Sequence, residues 1–331
     1  MVKVGVIGVG HLGKIHAKLW NEVGDVELIG IYDEDHERSA CIAGEIGTRS
    51  FADLFELLAS VDAVSIVTPT FAHYSVAKAA LERGVHVLIE KPITTTTREA
   101  EELIQMAAEK HLKIQVGHIE RFNPALLAIE KYLANPKFFE SHRMAQFKPR
   151  GTDVPVVLDL MIHDIDVILS LVKSPVKSVD ASGVAVVSEE LDIANARIKF
   201  MNGAVANVTA SRISVNPMRK LRIFEHQGYI SLDFAQKSAD VFRLVGDGEE
   251  VDPTHMMKLG EIDSADLPRS IVYEKPDVRD LNPLKYELEL FRDAVTENTQ
   301  PIVSGEDGLE ALRVADLILQ SIRDQELKWS N

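Results

Sequence analysis

Gly8-Val9-Gly10-His11-Leu12-Gly13 follows the apolar run Val4-Gly5-Val6-Ile7 and opens a segment, Lys14 to Val23, with helical spacing. Strand, glycine turn and helix in that order form a dinucleotide-binding start. The first glycine permits the turn, the second lets the backbone approach a pyrophosphate, and the third lets helix and strand pack closely. The helix start adds free N–H groups and partial positive charge, and His11 and Leu12 count with Gly8, Gly10 and Gly13 as cofactor-binding residues. The glycines alone are a common pattern; their context sharpens it. A second apolar run, Val26 to Tyr32, ends at Asp33, about twenty residues past the last glycine, where an acidic ribose ligand is expected. A carboxylate there accepts hydrogen bonds from a ribose 2′-hydroxyl and repels a 2′-phosphate. Glu34 and Asp35 deepen the negative field, so NAD is favoured over NADP, with His36 and Arg38 the residues that could fold over a 2′-phosphate instead.

The chain has 331 residues, enough for two domains, and a net charge of −15 that argues against a nucleic-acid surface. An anionic substrate must then meet a local basic patch. One cysteine, Cys41, excludes an intrachain disulfide framework and a cysteine-rich metal site, and reads as a small apolar residue on the helix after Asp33. The eleven histidines are scattered and form no ligand cluster, so no metal is expected. Met1-Val2-Lys3 runs straight into the first strand and no apolar stretch has membrane-spanning length. The expectation is a cytoplasmic protein without membrane contact.

To about residue 120 short apolar runs alternate with helical patterns, the rhythm of a doubly wound parallel sheet. Val61 to Val67, Val85 to Ile89 and Lys113 to Val116 read as strands; Phe51 to Ala59, His73 to Arg83 and Arg98 to Lys110 as helices, the last capped by Thr97. Domain one is thus 1–120, an α/β dinucleotide-binding fold, and domain two 121–331, an α+β substrate and oligomerisation domain. In the second, helices are expected from Pro124 to Leu133 and from about Val157 to Val172, with a strand near Phe138 to Phe147. Extended segments follow from Ile193 to Phe234 with the hairpin signal Met201-Asn202-Gly203, which means a large, mainly antiparallel open sheet. Gly246 to Arg279 reads as polar and irregular, and helical patterns return from Pro283 to Thr296 and Gly305 to Arg323, packing back across the molecule.

Glu90-Lys91-Pro92 follows a buried parallel strand at its carboxyl end, where ligands of open α/β sheets bind. The proline restricts Lys91, whose ammonium is either aimed into a cleft or merely solvated. Thr68-Pro69-Thr70 with His73 forms either a loop under the nicotinamide ribose or a strand exit and helix cap. Farther on, Asp159-Leu160-Met161-Ile162-His163-Asp164-Ile165-Asp166 puts Asp159 and His163 on one helix face, with Asp166 able to reach that side. An imidazole oriented by a carboxylate is a base for a secondary alcohol.

The glycine motif, Asp33, Thr68-Pro69 with His73, Glu90-Lys91-Pro92 and the Asp159 to Asp166 segment together resemble the glucose-fructose oxidoreductase/inositol dehydrogenase/rhizopine catabolism (Gfo/Idh/MocA) family of NAD(P)-dependent sugar oxidoreductases, along essentially the whole chain. The resemblance implies that Lys91, Asp159 and His163 face the substrate and carry catalysis, with Thr68, Pro69, His73, Glu90 and Lys91 near the cofactor. It departs at Met161, where the family often has glycine. Gly117 to Pro124 is similar to the family's domain crossover, which brings Arg121 and Asn123 near substrate hydroxyls. Phe147-Lys148-Pro149-Arg150-Gly151, two cations and a glycine in an acidic chain, could hold a diphosphate or be a solvated turn. The Asp159 to Asp166 segment and the crossover look most similar to the branch that oxidises the 3-hydroxyl of UDP-N-acetylglucosamine to the 3-keto sugar of the lipid A precursor pathway. Dehydrogenation of a free polyol such as inositol, and a dinucleotide-binding regulator without catalysis, remain alternatives; retention of Lys91, Asp159 and His163 together argues against the regulator. The resemblance also implies homodimers or homotetramers packed sheet to sheet.

Overall fold

The computed structural model describes residues 1–148, 152–246, 256–262 and 269–329. The chain forms two compact units, 1–119 with 282–313, and 120–281 with the chain from 314 on.

The first unit alternates strands and helices: β1 (Val2–Ile7), α1 (His11–Trp20), β2 (Val26–Tyr32), α2 (His36–Ile46), β3 (Arg49–Ser50), α3 (Leu54–Leu58), β4 (Ala63–Ile66), α4 (Thr70–Glu82), β5 (His86–Glu90), α5 (Thr97–Glu109) and β6 (Ile114–Gly117). The strands pair in parallel in the order β3-β2-β1-β4-β5-β6. That order reverses between β1 and β4, the place where open sheets of this kind bind ligands beyond their carboxyl ends. All four residues of β4 are buried, as a strand covered on both faces must be. The helices start where local chemistry says they should. Thr96, not Thr97, caps α5, because Thr96 is the extended residue and Glu99, three places on, accepts a hydrogen bond from its backbone N–H. Cys41 is exposed on α2 and so is not a core residue.

The second unit begins with a short 3₁₀ turn, Ile119–Phe122 across the boundary, then α6 (Pro124–Ile129) and β7 (Phe138–Met144). A single π-helical turn, Val157–Met161, runs into α7 (Ile162–Val172). The strands β8 (Val176–Val184), β9 (Ile193–Phe200), β10 (Val205–Ser211), β11 (Met218–Glu225), β12 (Gly228–Asp233), β13 (Ser238–Gly246), β14 (Met256–Ile262) and β15 (Arg269–Glu274) join β7 in a nine-stranded sheet. Its order is β14-β15-β13-β12-β11-β7-β10-β9-β8, antiparallel except for the parallel pair β7 and β10. The turn between β9 and β10 is the expected hairpin, with Gly203 at φ +85°. α6 packs on β12 and β13, and α7 on β7 and β10.

The segment from Gly246 to Arg279, read as irregular, holds β14 and β15 instead. Both lie at one edge of the sheet, and in β15 the polar Ser270 and Glu274 share the face of the buried Val272 while Ile271 and Tyr273 lie on the other, which blurs the apolar alternation. Finally α8 (Pro283–Thr296) and α9 (Gly305–Trp329) follow, and α8 belongs to the first unit. Its Leu284, Leu288 and Phe291 share a core with Val4, Val6, Ala17 and Trp20.

Candidate functional site

In the first unit the cofactor cradle is made by backbone. Gly8 adopts φ +83°, which a side chain rarely tolerates. A Cβ on Gly13 would stand 1.8 Å from the Gly8 carbonyl oxygen, so only glycine lets α1 lie this close to the turn. At Gly10 the same added atom meets nothing within 4 Å; the space there is open. Gly10 is the N-cap of α1, offers no side-chain cap, and the first turn contains no acid, so the helix start keeps its donors and positive end for an anion. Asp33, at the end of β2, accepts hydrogen bonds from the backbone N–H groups of Val9 (2.8 Å) and Asp35 (2.9 Å), which ties the carboxylate to the glycine loop. Arg38 donates to Asp35 at 2.7 Å and lies 3.6 Å from Asp33, so its guanidinium is drawn to the carboxylates. The backbone N–H of Arg38, which donates to Asp35 at 3.0 Å, and then its guanidinium hold the Asp35 carboxyl below its ordinary range. These features fit a dinucleotide: open space where a pyrophosphate approaches, a free helix start, and an oriented acid for a ribose.

The loops after β4 and β5 are fastened to each other. His73, on α4, is buried, with Nδ1 2.8 Å from the Pro92 carbonyl oxygen and Nε2 2.9 Å from that of Thr68. Burial pushes this imidazole down, against the pull of the two carbonyls, which favour its protonated form. Each ring nitrogen of His73, expected from the sequence near the cofactor, thus lies against a backbone carbonyl and links the two loops. Pro69 caps α4 from an exposed position, and Thr68 keeps a buried hydroxyl without a hydrogen-bond partner. Lys91 is half-buried, and its peptide bond to Pro92 is cis. Glu90 also turns inward: its Oε1 lies 3.1 Å from Nε2 of the fully buried His16.

In the second unit α7 is apolar on most sides, with Ile162, Ile165, Val167, Ile168 and Val172 buried. Asp159 lies on the π-helical turn before it and His163 in its first turn, and both are half-buried. A π-turn widens the helix locally and is common where a side chain must be aimed. Met161, where glycine was the family's usual residue, is fully buried. The other two acids of the segment have different tasks. Arg143 of β7 donates to Asp164 through Nε (2.7 Å) and Nη2 (3.1 Å) and to Glu120 through Nη1 (2.9 Å), all of them buried. Burial alone would lower the Arg143 pKa, but the two carboxylates raise it above its ordinary value. Arg121 grips Asp166 through Nε (2.7 Å) and Nη2 (3.0 Å).

The buried Asp166 is thus engaged by Arg121, the residue expected near substrate hydroxyls. Asn123, also expected near substrate hydroxyls, caps α6 with its oxygen and gives its amide hydrogens to Glu120 and the Phe234 carbonyl. Lys148 is exposed, and Arg150 lies outside the described residues.

Against known families, residues 2–118 match "Oxidoreductase family, NAD-binding Rossmann fold" and residues 131–329 match "Oxidoreductase family, C-terminal alpha/beta domain", both of the Gfo/Idh/MocA group. The chain belongs to the Gfo/Idh/MocA oxidoreductase family. It is an enzyme of that family with an NAD-binding Rossmann unit. Among Gfo/Idh/MocA relatives, it is 45% identical over 242 residues to UDP-N-acetylglucosamine 3-dehydrogenase of Acidithiobacillus ferrooxidans, covering 73% of this chain and 77% of that one. It superposes on a solved structure of that enzyme with a TM-score of 0.86 and 37% identity over 97% of each chain. Inositol 2-dehydrogenase of Rhizobium meliloti is 24% identical over 98% of both chains.

Among the described residues no group of three or more His, Cys, Asp or Glu side chains could hold a metal ion, and no helix is long and apolar enough to cross a membrane. Sequence reading missed His16, Glu120, Arg143 and Asp164. A signal for His16 was present: it lies beside Ala17 and three residues after Gly13 on the face of α1 that carries Trp20, and a polar residue there needs a buried partner.

Proposed function

We propose that the chain is an NAD-dependent dehydrogenase that oxidises the 3-hydroxyl of UDP-N-acetylglucosamine to the 3-keto sugar. The observation that carries this reading is the likeness to UDP-N-acetylglucosamine 3-dehydrogenase, at 37% identity and a TM-score of 0.86 along 97% of each chain. The inositol 2-dehydrogenase likeness is as long but falls to 24% identity.

The glycine loop and α1 start bind the pyrophosphate, and Asp33 takes the ribose hydroxyls; Arg38, already paired with Asp35 and Asp33, favours NAD over NADP. When bound, NAD supplies the acceptor for the hydride that leaves the carbinol carbon. His163 accepts the hydroxyl proton, and Asp159, one turn earlier, orients it. The Lys91 ammonium stabilises the negative charge that develops on the oxygen as the proton leaves. Arg143 and Arg121 keep α7, and so His163, in place by holding Asp164 and Asp166. Lys148 and Arg150 would meet the diphosphate.

Incubation with NAD and UDP-N-acetylglucosamine, beside myo-inositol and free N-acetylglucosamine, tests the reading through NADH absorbance and the mass of the trapped ketone. Oxidation of the nucleotide sugar alone is the expected result. Oxidation of myo-inositol alone transfers the chain to the polyol reading that the Rhizobium relative favours, and tight NAD binding with no product from any of them favours a regulator.

The reading includes a homo-oligomer. Phe138, Phe224, Tyr229, Phe242 and Tyr273 stack across five strands with ring centroids 4.9–5.5 Å apart. They alternate with the buried Phe139, Ile223, Ile230, Val241 and Val272, so they lie on the opposite face of the sheet, and that aromatic face fits a second copy of the chain. Light scattering on the purified protein checks it; a monomer defeats it.

A further inference from the structure

His16, fully buried, and Glu90, half-buried and next to Lys91 in the chain, form a pair. His16 is fully buried on α1, its Nε2 is 3.1 Å from Glu90 Oε1, and its Nδ1 has no hydrogen-bond partner. The other carboxylate oxygen, Oε2, accepts the backbone N–H of Lys91 at 3.3 Å. Glu90 pairs with Gly117 across β5 and β6, and a Cβ on Gly117 would stand 2.8 Å from Oε1. The absence of a side chain at 117 thus provides the room in which the carboxylate sits. Three elements, α1, β5 and β6, converge on one acid whose neighbour in the chain is the lysine of the site. A carboxylate largely removed from water is kept only with partners, and here one partner is the histidine and another the lysine's own backbone.

We infer that His16 and Glu90 are positioning residues for Lys91: the Glu90 carboxylate, held in place by His16 and seated on Gly117, orients the Lys91 backbone and keeps its ammonium charged. The inference rests on the role proposed for Lys91. Burial alone would push the Glu90 carboxyl up, but the hydrogen bond and charge of His16, then the charge of Lys91, hold it below its ordinary value. The titratable groups around this carboxylate are His16 from α1, Lys91 in its own loop, His73 from α4, which Glu90 draws toward its charged form, and His118, next after Gly117. An anion beside an ammonium favours the charged state. The chemistry Lys91 is assigned requires the ammonium rather than the amine.

The test reads Lys91 directly, without substrate. Only the free amine reacts with an N-hydroxysuccinimide ester, so the rate of Lys91 acylation at pH 8, followed by peptide mass spectrometry on the whole chain, reports its charge. Glu90→Gln should raise that rate about tenfold, and His16→Phe should raise it in the same direction. His16→Gln, which keeps a donor toward Glu90, should restore the native rate. Gly117→Ala, which crowds the carboxylate from the side of β6, should mimic Glu90→Gln and serves if His16→Phe does not fold. An unchanged rate in Glu90→Gln and Gly117→Ala, or variants that lose thermal stability without any change in Lys91 labelling, would overturn the inference. A chain that oxidises none of the sugars yet shows the labelling shift defeats the proposed function and supports the pair.

Discussion

The glycine loop of the first unit and α7 of the second do comparable jobs with different materials. The loop spans six residues, Gly8 to Gly13, and works through what is missing: side chains that would block a turn, a helix approach or a phosphate. α7 works through what is added, since its position depends on arginines that come from Ile119–Phe122 and β7, up to 45 residues away in sequence. A device made of backbone is contained within one short stretch. A device made of ion pairs is complete only when distant segments have met.

That contrast can be pressed by experiment. The largest effect is expected at His163, where replacement by Asn should lower turnover about 10²–10⁴-fold while NAD affinity, measured by fluorescence titration, stays unchanged. Unchanged turnover would remove α7 from the chemistry and leave it a structural element. Next is Arg143→Met, which strands the buried Asp164 and Glu120 and should cost about 3–5 kcal/mol of stability in denaturant unfolding. A cost near zero would mean that the ion pairs do not hold the helix.

The second and third glycines of the loop, Gly10 and Gly13, separate stability from binding. Gly13→Ala forces a Cβ onto the Gly8 carbonyl and should destabilise the fold by about 1–3 kcal/mol. Gly10→Ala meets no protein atom, so it should leave the melting temperature alone and weaken NAD binding instead. If both lost stability equally, the open space at Gly10 would have no functional meaning.

The smallest effect is expected from acid. Burial would raise the Asp192 carboxyl, but hydrogen bonds from the Ser188 hydroxyl and the backbone N–H groups of Val186, Val187 and Ser188 outweigh it and hold the group well below its ordinary value. A carboxyl depressed in the folded state stabilises the protein above its unfolded pKa, about 3.9, and loses that contribution as pH falls through the folded value. Asp192→Asn should therefore be less stable than the native chain near neutrality, with the difference shrinking below about pH 4.

The parallel sheet, the glycine loop, the acid after β2 and the hairpin at Asn202-Gly203 were legible because each is local: a run of apolar residues, a turn, a fixed spacing. The edge strands β14 and β15 were not, because in β15 the polar Ser270 and Glu274 share the face of the buried Val272 while Ile271 and Tyr273 lie on the other, which erases the alternation. Within the site, the sequence placed Asp159 and His163 on one helix face with Asp166 able to reach that side, and the family resemblance singled out Asp159. Asp159, Asp164 and Asp166 are acids within eight residues, and what the sequence did not show is that Arg143 claims the buried Asp164 and Arg121 the buried Asp166. His73 and Glu90 were likewise read as facing a ligand, because nothing in their own segments shows the carbonyls and the histidine that claim them.

Local spacing was thus enough for the dinucleotide-binding turn and the doubly wound sheet, since backbone conformation depends on neighbours along the chain, while the family came from the resemblance of several motifs taken together. The assignment of each polar side chain, as a ligand-facing group or as one bonded within the fold, came only with tertiary structure. Burial makes a polar group take the nearest available partner, and which partner is nearest is decided by segments that meet only when the chain has folded.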